Sequence, residues 1–363
     1  KHSKNCEAIM LFFIKNILKH WHYNLIVVLV LVLSACEKTP PIPKTDLPSD
    51  TLATGVFIGS EGNYQWGNAS LSFLDSKTGK VYEHIYATVN QKNLGDVLQS
   101  IYVHQDKVYL VVNNSGKIEI INRSTFAAMG SITGLKSPRY FLPISDSKAY
   151  VSDLYGQQIA IVDLNTNKVS GQIACSGWTE ELLLHQSKVY VCNKYQAWVY
   201  VIDTQLNSIT DSIAIGYGAI SMVKDKNNYL WVLTTGNTQN GANIKPQLHK
   251  INPNDNKVIA TYDMGLGELP IKLIINKAQD RLYWLKNHVW SMGIAETSIP
   301  TNAFIENGSR NFYGIGIDTY NNRLLVSDAK DYVQKSEVLQ YDSTGKLINS
   351  FKAGINTFFF INK

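Results

Sequence analysis

The chain has 363 residues, 45% of them hydrophobic, and a formal net charge of +5. That length holds one large domain or two average ones, and that apolar content suits a packed core rather than a disordered polymer. Without residues 1–35 the balance is 30 basic against 28 acidic residues, and no Lys/Arg cluster follows. The electrostatic footprint of a nucleic-acid binder is therefore excluded.

Residues 1–9 precede Met10, the expected start. Lys15 and Lys19 follow, then the apolar run Leu25–Leu33, then L-S-A-C ending at Cys36. A basic region, an apolar stretch and small residues before a cut describe a secretory signal over residues 1–35. The competing reading, a membrane anchor, needs about 20 apolar residues, and the uninterrupted run has nine. L-S-A-C also resembles the lipobox of bacterial lipoproteins. That resemblance implies lipidation of Cys36, and Glu37 after it is consistent with export to the outer membrane. Thr39–Thr54 carries four prolines and no periodicity, so residues 36–54 read as a lipidated cysteine with an extended tether.

From residue 55 to 363 the pattern is β throughout. Lys107–Ile132 and Lys148–Ile173 repeat one another. Each contains three short runs of β-branched and aromatic residues, read as inner, middle and outer strands and separated by Asn/Asp/Gly/Ser clusters. A fourth run, Arg139–Ser145, lies between them. Four strands at a fixed period are the mark of a β-propeller blade. The second residue of the inner-strand signature recurs at Val108, Ala149, Val189, Leu230, Leu282 and Leu324, with spacings of 41, 40, 41, 52 and 42. The long spacing is the turn-rich insertion Thr235–Pro246. A seventh unit, Val56–Tyr86, lacks the strand that precedes the signature elsewhere. Phe358–Ile361, at the other end of the chain, supplies a matching strand. Closing the ring with it removes an open sheet edge. The reading is a seven-bladed, all-β propeller closed by the C-terminal strand, with eight blades the alternative count. A β-sandwich or unrelated hairpins would not produce the period.

Polar residues divide into recurrent and unique ones. Asp75, Asn122, Asp163, Asp203, Asn252 and Asp342 share one repeat slot, where a short side chain sets the turn. Their recurrence argues for architecture. No G-x-S-x-G, H-E-x-x-H or phosphate-loop pattern is present, and His84, His104, His185, His249 and His288 are too scattered to form ligand pairs. No metal site, catalytic residue or cofactor is assigned. Cys175 and Cys192 fall near the same rim. They read either as a disulfide, since export implies an oxidising space, or as two independent buried thiols.

In a propeller the loops between blades, and those between inner and middle strands, share one face. Here they collect Tyr64, Trp66, Tyr140, Tyr155, Trp178, Tyr195, Tyr217 and Tyr313, with Asn114, Arg139, Glu180, Asn237 and Arg310 beside them. Flat amphipathic rings with a few donors and acceptors suit a large, polar, partly flat ligand.

The stretches W-G-N-A-S-L-S (66–72), G-D-V-L-Q-S (95–100), V-N-N-S-G-K-I (112–118), S-P-R-Y-F-L-P (137–143) and G-W-T-E-E (177–181) carry a family resemblance. The chain resembles the YVTN-type (YncE-like) propellers, and among them the surface lipoproteins of gut-type Gram-negative bacteria. The resemblance covers residues 55 to the C-terminus and thins after Thr235. It implies capture of vitamin B12 or a related corrinoid, as a bound ligand and not a catalytic cofactor, and its transfer to a TonB-dependent outer-membrane transporter. It implies a lipid-anchored, surface-exposed protein of the outer membrane that is not an enzyme. The alternative from the same rim is a scaffold or adhesin for a protein or polysaccharide. A lactonase or lyase would need a metal held on the central channel, for which no ligand set assembles from the sequence.

Overall fold

The computed structural model describes residues 46–48, 54–237, 243–267 and 269–363. The expected signal peptide, Cys36 and nearly all of the tether lie outside them.

Seven sheets follow one another along the chain. The first holds β1 (Gly55–Ser60), β2 (Ser70–Asp75) and β3 (Val81–Tyr82), after which a short helix, α1 (Ile85–Asn90), leads onward. The second holds β4 (Leu98–His104), β5 (Lys107–Val112), β6 (Lys117–Asn122) and β7 (Ala128–Ile132). The third holds β8 (Pro138–Pro143), β9 (Lys148–Asp153), β10 (Gln158–Asp163) and β11 (Lys168–Ala174). The fourth holds β12 (Thr179–His185), β13 (Lys188–Asn193), β14 (Trp198–Asp203) and β15 (Ser208–Ala214). The fifth holds β16 (Ala219–Lys224), β17 (Leu230–Thr234), β18 (Gln247–Asn252) and β19 (Lys257–Asp263). The sixth has three strands, β20 (Lys272–Ile275), β21 (Arg281–Lys286) and β22 (His288–Gly293). The seventh holds β23 (Phe312–Asp318), β24 (Arg323–Asp328), β25 (Lys335–Tyr341) and β26 (Leu347–Ile355). Finally β27 (Thr357–Asn362) pairs antiparallel with β1, with Val56 opposite Asn362 and Ile58 opposite Phe360.

This is an all-β, seven-bladed propeller closed as the sequence predicts. One assignment inside the blade is corrected. The strand read as inner, β5 in the second blade, is second from the axis. The run preceding it is innermost: β27, β4, β8, β12, β16, β20 and β23 pack in succession around the axis. Strand order runs outward from the axis, so the strand before the signature in sequence comes before it in space.

Burial explains the composition of each position. The second strand of a blade lies between neighbouring sheets, so both faces are covered. On β13, Val189 and Val191 join the cluster toward the third blade, while Tyr190 and Cys192 join the cluster toward the fifth. Such strands are continuously apolar, as parallel-sheet strands are for the same reason. Outer strands face solvent: four of the five residues of β7 are exposed, and β19 exposes every second residue. The recurrent Asp/Asn slot is architectural. The Oδ1 atoms of Asp75, Asn122 and Asp203 each accept two backbone N–H bonds from residues two and three positions on, at 2.8–3.1 Å.

The disulfide weighed for Cys175 and Cys192 is not formed. Both thiols are free and buried. Alternation along β13 turns Cys192 to the face opposite the one on which Cys175 packs, so no bond can join them. Burial pushes the Cys175 thiol up to about 12.

Candidate functional site

The site begins with one irregularity repeated around the axis. In β4 the pairing with β5 skips between Leu98 and Ser100, leaving Gln99 as the extra residue. The same slip occurs in β8 between Pro138 and Phe141, in β12 between Thr179 and Leu182, in β16 between Ala219 and Ser221, and in β23 between Phe312 and Gly314. In β27 it leaves out Phe358. A bulge unpairs one residue and re-aims its side chain. Here the residues left outside the pairing are Gln99, Arg139, Tyr140, Glu180, Glu181, Ile220, Tyr313 and Phe358, and all but Glu181 line one cavity.

Bulges orphan backbone groups, and hydroxyls take their place. Tyr140 N donates to Ser152 Oγ at 3.0 Å and Gly314 N to Ser327 Oγ at 2.8 Å. Opposite the β8 bulge Asp153 N donates to Thr179 Oγ1 at 2.9 Å, and in the unbulged β20 Leu273 N donates to Ser221 Oγ at 3.1 Å. The accounting closes with side chains where the ladder cannot supply partners.

The cavity measures about 640 Å³ and opens at the axis, a usual size for a small-molecule site. Arg139 and Glu180 form its charged core. The guanidinium donates through Nε and Nη2 to the two carboxylate oxygens at 3.1 and 2.8 Å, and through Nη1 to Gln99 Oε1. One layer away Glu181 accepts from Lys272 Nζ, from Ser221 Oγ at 2.9 Å and from Met222 N at 2.8 Å. Tyr140 lies beside this second pair, with the Lys272 ammonium 5.6 Å from its ring centre.

Glu61, in the loop after β1, accepts a 2.5 Å hydrogen bond from Tyr313 Oη. Burial pushes its carboxyl up to about 7, against the lowering effect of that bond and of Arg139. Trp178 forms a wall. The Arg139 guanidinium lies 5.3 Å and the Lys194 ammonium 4.1 Å from its ring centre. Burial lowers the Lys194 ammonium from its ordinary value; the nearby Glu180 carboxylate works against that effect and Arg139 adds to it. Val97, Leu154, Leu269, Pro270 and Ile271 complete the apolar lining.

Of the residues expected from sequence, Tyr64, Asn114, Arg139, Tyr140, Tyr155, Trp178, Glu180 and Tyr313 come together on this cavity. The others do not line it. Tyr195 stands outside, edge-on to Trp178 at 5.2 Å. Trp66 is 76% exposed in the loop after β1. The Tyr217 carbonyl accepts from Gly236 N at 3.0 Å, and Asn237 pairs through its backbone with Ile244, so both hold the base of the inserted loop. Arg310 acts on Glu337 and Tyr341 at the seventh blade. Sequence reasoning passed over Glu61, Gln99, Lys194 and Phe358 on the lining. Glu61 and Lys194 sit in loops singled out for their aromatics. Gln99 and Phe358 look like ordinary strand residues, because a bulge is invisible in a hydrophobic pattern. Among the described residues, no three His, Cys, Asp or Glu side chains come close enough to hold a metal ion.

A closed seven-bladed ring with a cavity at the mouth of its axis defines the class as a seven-bladed β-propeller. A family model described as a domain of unknown function (DUF5074) matches residues 54–360, and the chain belongs to that family. No curated protein matches it. Solved structures share the fold at low identity. A quinonprotein alcohol dehydrogenase-like protein from Bacteroides thetaiotaomicron is 13% identical, with TM-score 0.67 over 86% of this chain and 79% of that one. A putative 6-phosphogluconolactonase from Bacteroides fragilis is 11% identical, with TM-score 0.63 over 87% of this chain and 100% of that one. A functionally unknown protein from Desulfotomaculum acetoxidans is 11% identical, with TM-score 0.64 over 85% of this chain and 98% of that one.

Proposed function

We propose that this propeller is a non-enzymatic capture protein, which takes a large, partly flat ligand into the axial cavity. A corrinoid such as vitamin B12 is the leading candidate. The observation that carries the reading is the state of the central charged groups. Arg139 is clamped by Glu180 and Gln99, and Lys272 by Glu181, in fixed pairs flanked by Tyr140 and Trp178. Groups committed to one another shape a pocket and orient a ligand. Bound in this way, the ligand would be passed to a TonB-dependent transporter, with the propeller anchored at the outer-membrane surface through Cys36.

Cyanocobalamin titration tests this. A ligand bound by the native state raises the melting temperature, and Trp178 on the cavity wall reports occupancy as a fluorescence change. Absence of both at micromolar ligand sinks the corrinoid assignment.

One observation favours a second reading, a macromolecular partner. Tyr64, Trp66, Tyr155, Tyr195 and Tyr332 are all 45% exposed or more, and all sit on second-to-third-strand loops of the cavity face. Exposed aromatics in such number mark contact surfaces. A scaffold or adhesin would retain an outer-membrane protein or polysaccharide in pull-downs and show no small-molecule shift.

A further inference from the structure

Four charged side chains line the cavity, Arg139 and Lys194 with Glu180 and Glu61. Arg139 is matched by Glu180, and Lys272 by Glu181. Lys194 remains. Its ammonium lies 4.1 Å over the Trp178 ring and makes no ion pair or hydrogen bond among the described residues. Glu61 is the other charged group on the lining. It is tied to Tyr313, and burial holds part of it protonated near neutral pH. A half-buried cation without an acceptor is costly unless something supplies one.

We infer that Lys194, held over Trp178, is an anion subsite of this cavity, taking an oxyanion such as a phosphate ester carried by the flat ligand. The inference rests on the capture reading and deepens it by naming a substituent. Lysine suits the task as a compact point charge with three rotatable donors. Arg139 is less available, because three of its five N–H donors are committed to Glu180 and Gln99. The indole beneath Lys194 holds the ammonium in place by a cation–π contact.

The test uses two ligand pairs that differ in a phosphate group: cobinamide phosphate against cobinamide, both as dicyano forms, and flavin mononucleotide against riboflavin. Dissociation constants are measured by Trp fluorescence for the wild type, Lys194→Met and Lys194→Arg, with denaturation midpoints confirming that each variant is folded. Within any pair that binds, the phosphate-bearing member binds wild type about tenfold or more tightly. Lys194→Met abolishes that preference and Lys194→Arg retains it. Binding by the flavin pair alone, with that pattern, upholds the subsite and removes the corrinoid assignment. A corrinoid pair that binds without phosphate preference, or keeps the preference in Lys194→Met, overturns the subsite and leaves the capture reading standing. Failure of all four ligands to bind at millimolar concentration overturns both.

Discussion

The Arg139–Glu180 pair joins two innermost strands across the cavity floor, and removing it in two ways gives opposite results. The side chains are 15% and 4% exposed, so this is a buried pair and not a surface one. Arg139→Met leaves the Glu180 carboxylate in a low-dielectric site with neither of its guanidinium bonds. Stranding a buried charge in this way costs about 3–5 kcal/mol. Adding Glu180→Met removes the stranded charge and fills the space with apolar side chains of similar reach. The double variant should therefore regain most of the loss. The residue, about 1 kcal/mol, reflects the Gln99 carbonyl that loses its donor. Guanidinium denaturation followed by far-ultraviolet circular dichroism, on both single variants and the double, gives the coupling energy directly. The reasoning fails if Arg139→Met costs under about 1 kcal/mol, as an exposed pair would, or if the two single losses simply add.

Other expectations follow from the same geometry. Glu61 titrates near 7 in the folded chain against an ordinary 4.5, so between those values the native state holds a proton that the unfolded chain has released. Stability then falls as pH rises from about 4.5 to about 7 and levels above that; Glu61→Gln should flatten this segment, read from denaturation midpoints across the range. Phe360 is 7% exposed in the cluster of Val56, Ile58 and Leu325 that closes the ring, so Phe360→Ala should cost about 3–5 kcal/mol, measured by the same unfolding assay. Ser152→Ala leaves the bulged Tyr140 N–H without its acceptor and should cost about 1–3 kcal/mol; a loss below a few tenths would show that water replaces the hydroxyl. Cys175 and Cys192 should resist iodoacetamide in the native protein and react after unfolding, mapped by peptide mass, because both are buried and unbonded.

The ring was legible because its cause is periodic. A strand between two neighbouring sheets must be apolar on both faces, and a turn after the third strand wants Asp or Asn. Val108, Ala149 and Val189, with Asp163 and Asp203, recur at the blade spacing for those reasons. The closing strand was legible from what the first blade lacked. The cavity was legible only in part, and the division is physical. Tyr64, Tyr155 and Trp178 were found because large rings in loops stand out. Trp66, Tyr217 and Asn237 share that look, yet solvent or the base of the inserted loop claims them. The disulfide failed on alternation: two cysteines at one rim are still on opposite faces if the strand turns one of them away.

The bulges connect fold to site. A regular innermost strand would hold every backbone group in its ladder and place side chains alternately on the two faces that neighbouring blades bury, leaving the axis lined by backbone. Shifting the register of six innermost strands near the same end leaves a side chain in each outside that alternation. These side chains come from six different blades, so chemistry scattered over most of the chain meets at one point. Nothing requires the six to be alike, and they are not: Gln, Arg, Glu, Ile, Tyr and Phe occupy equivalent places. The blade repeat thus builds a uniform wall, and the bulges print a non-repeating set of groups on it. On the capture reading proposed above, ligand choice would be encoded in the few positions that the repeat leaves free. Exchanging Gln99, Ile220 or Phe358 should alter what the cavity holds while leaving the blade cores, built from the second and third strands, intact.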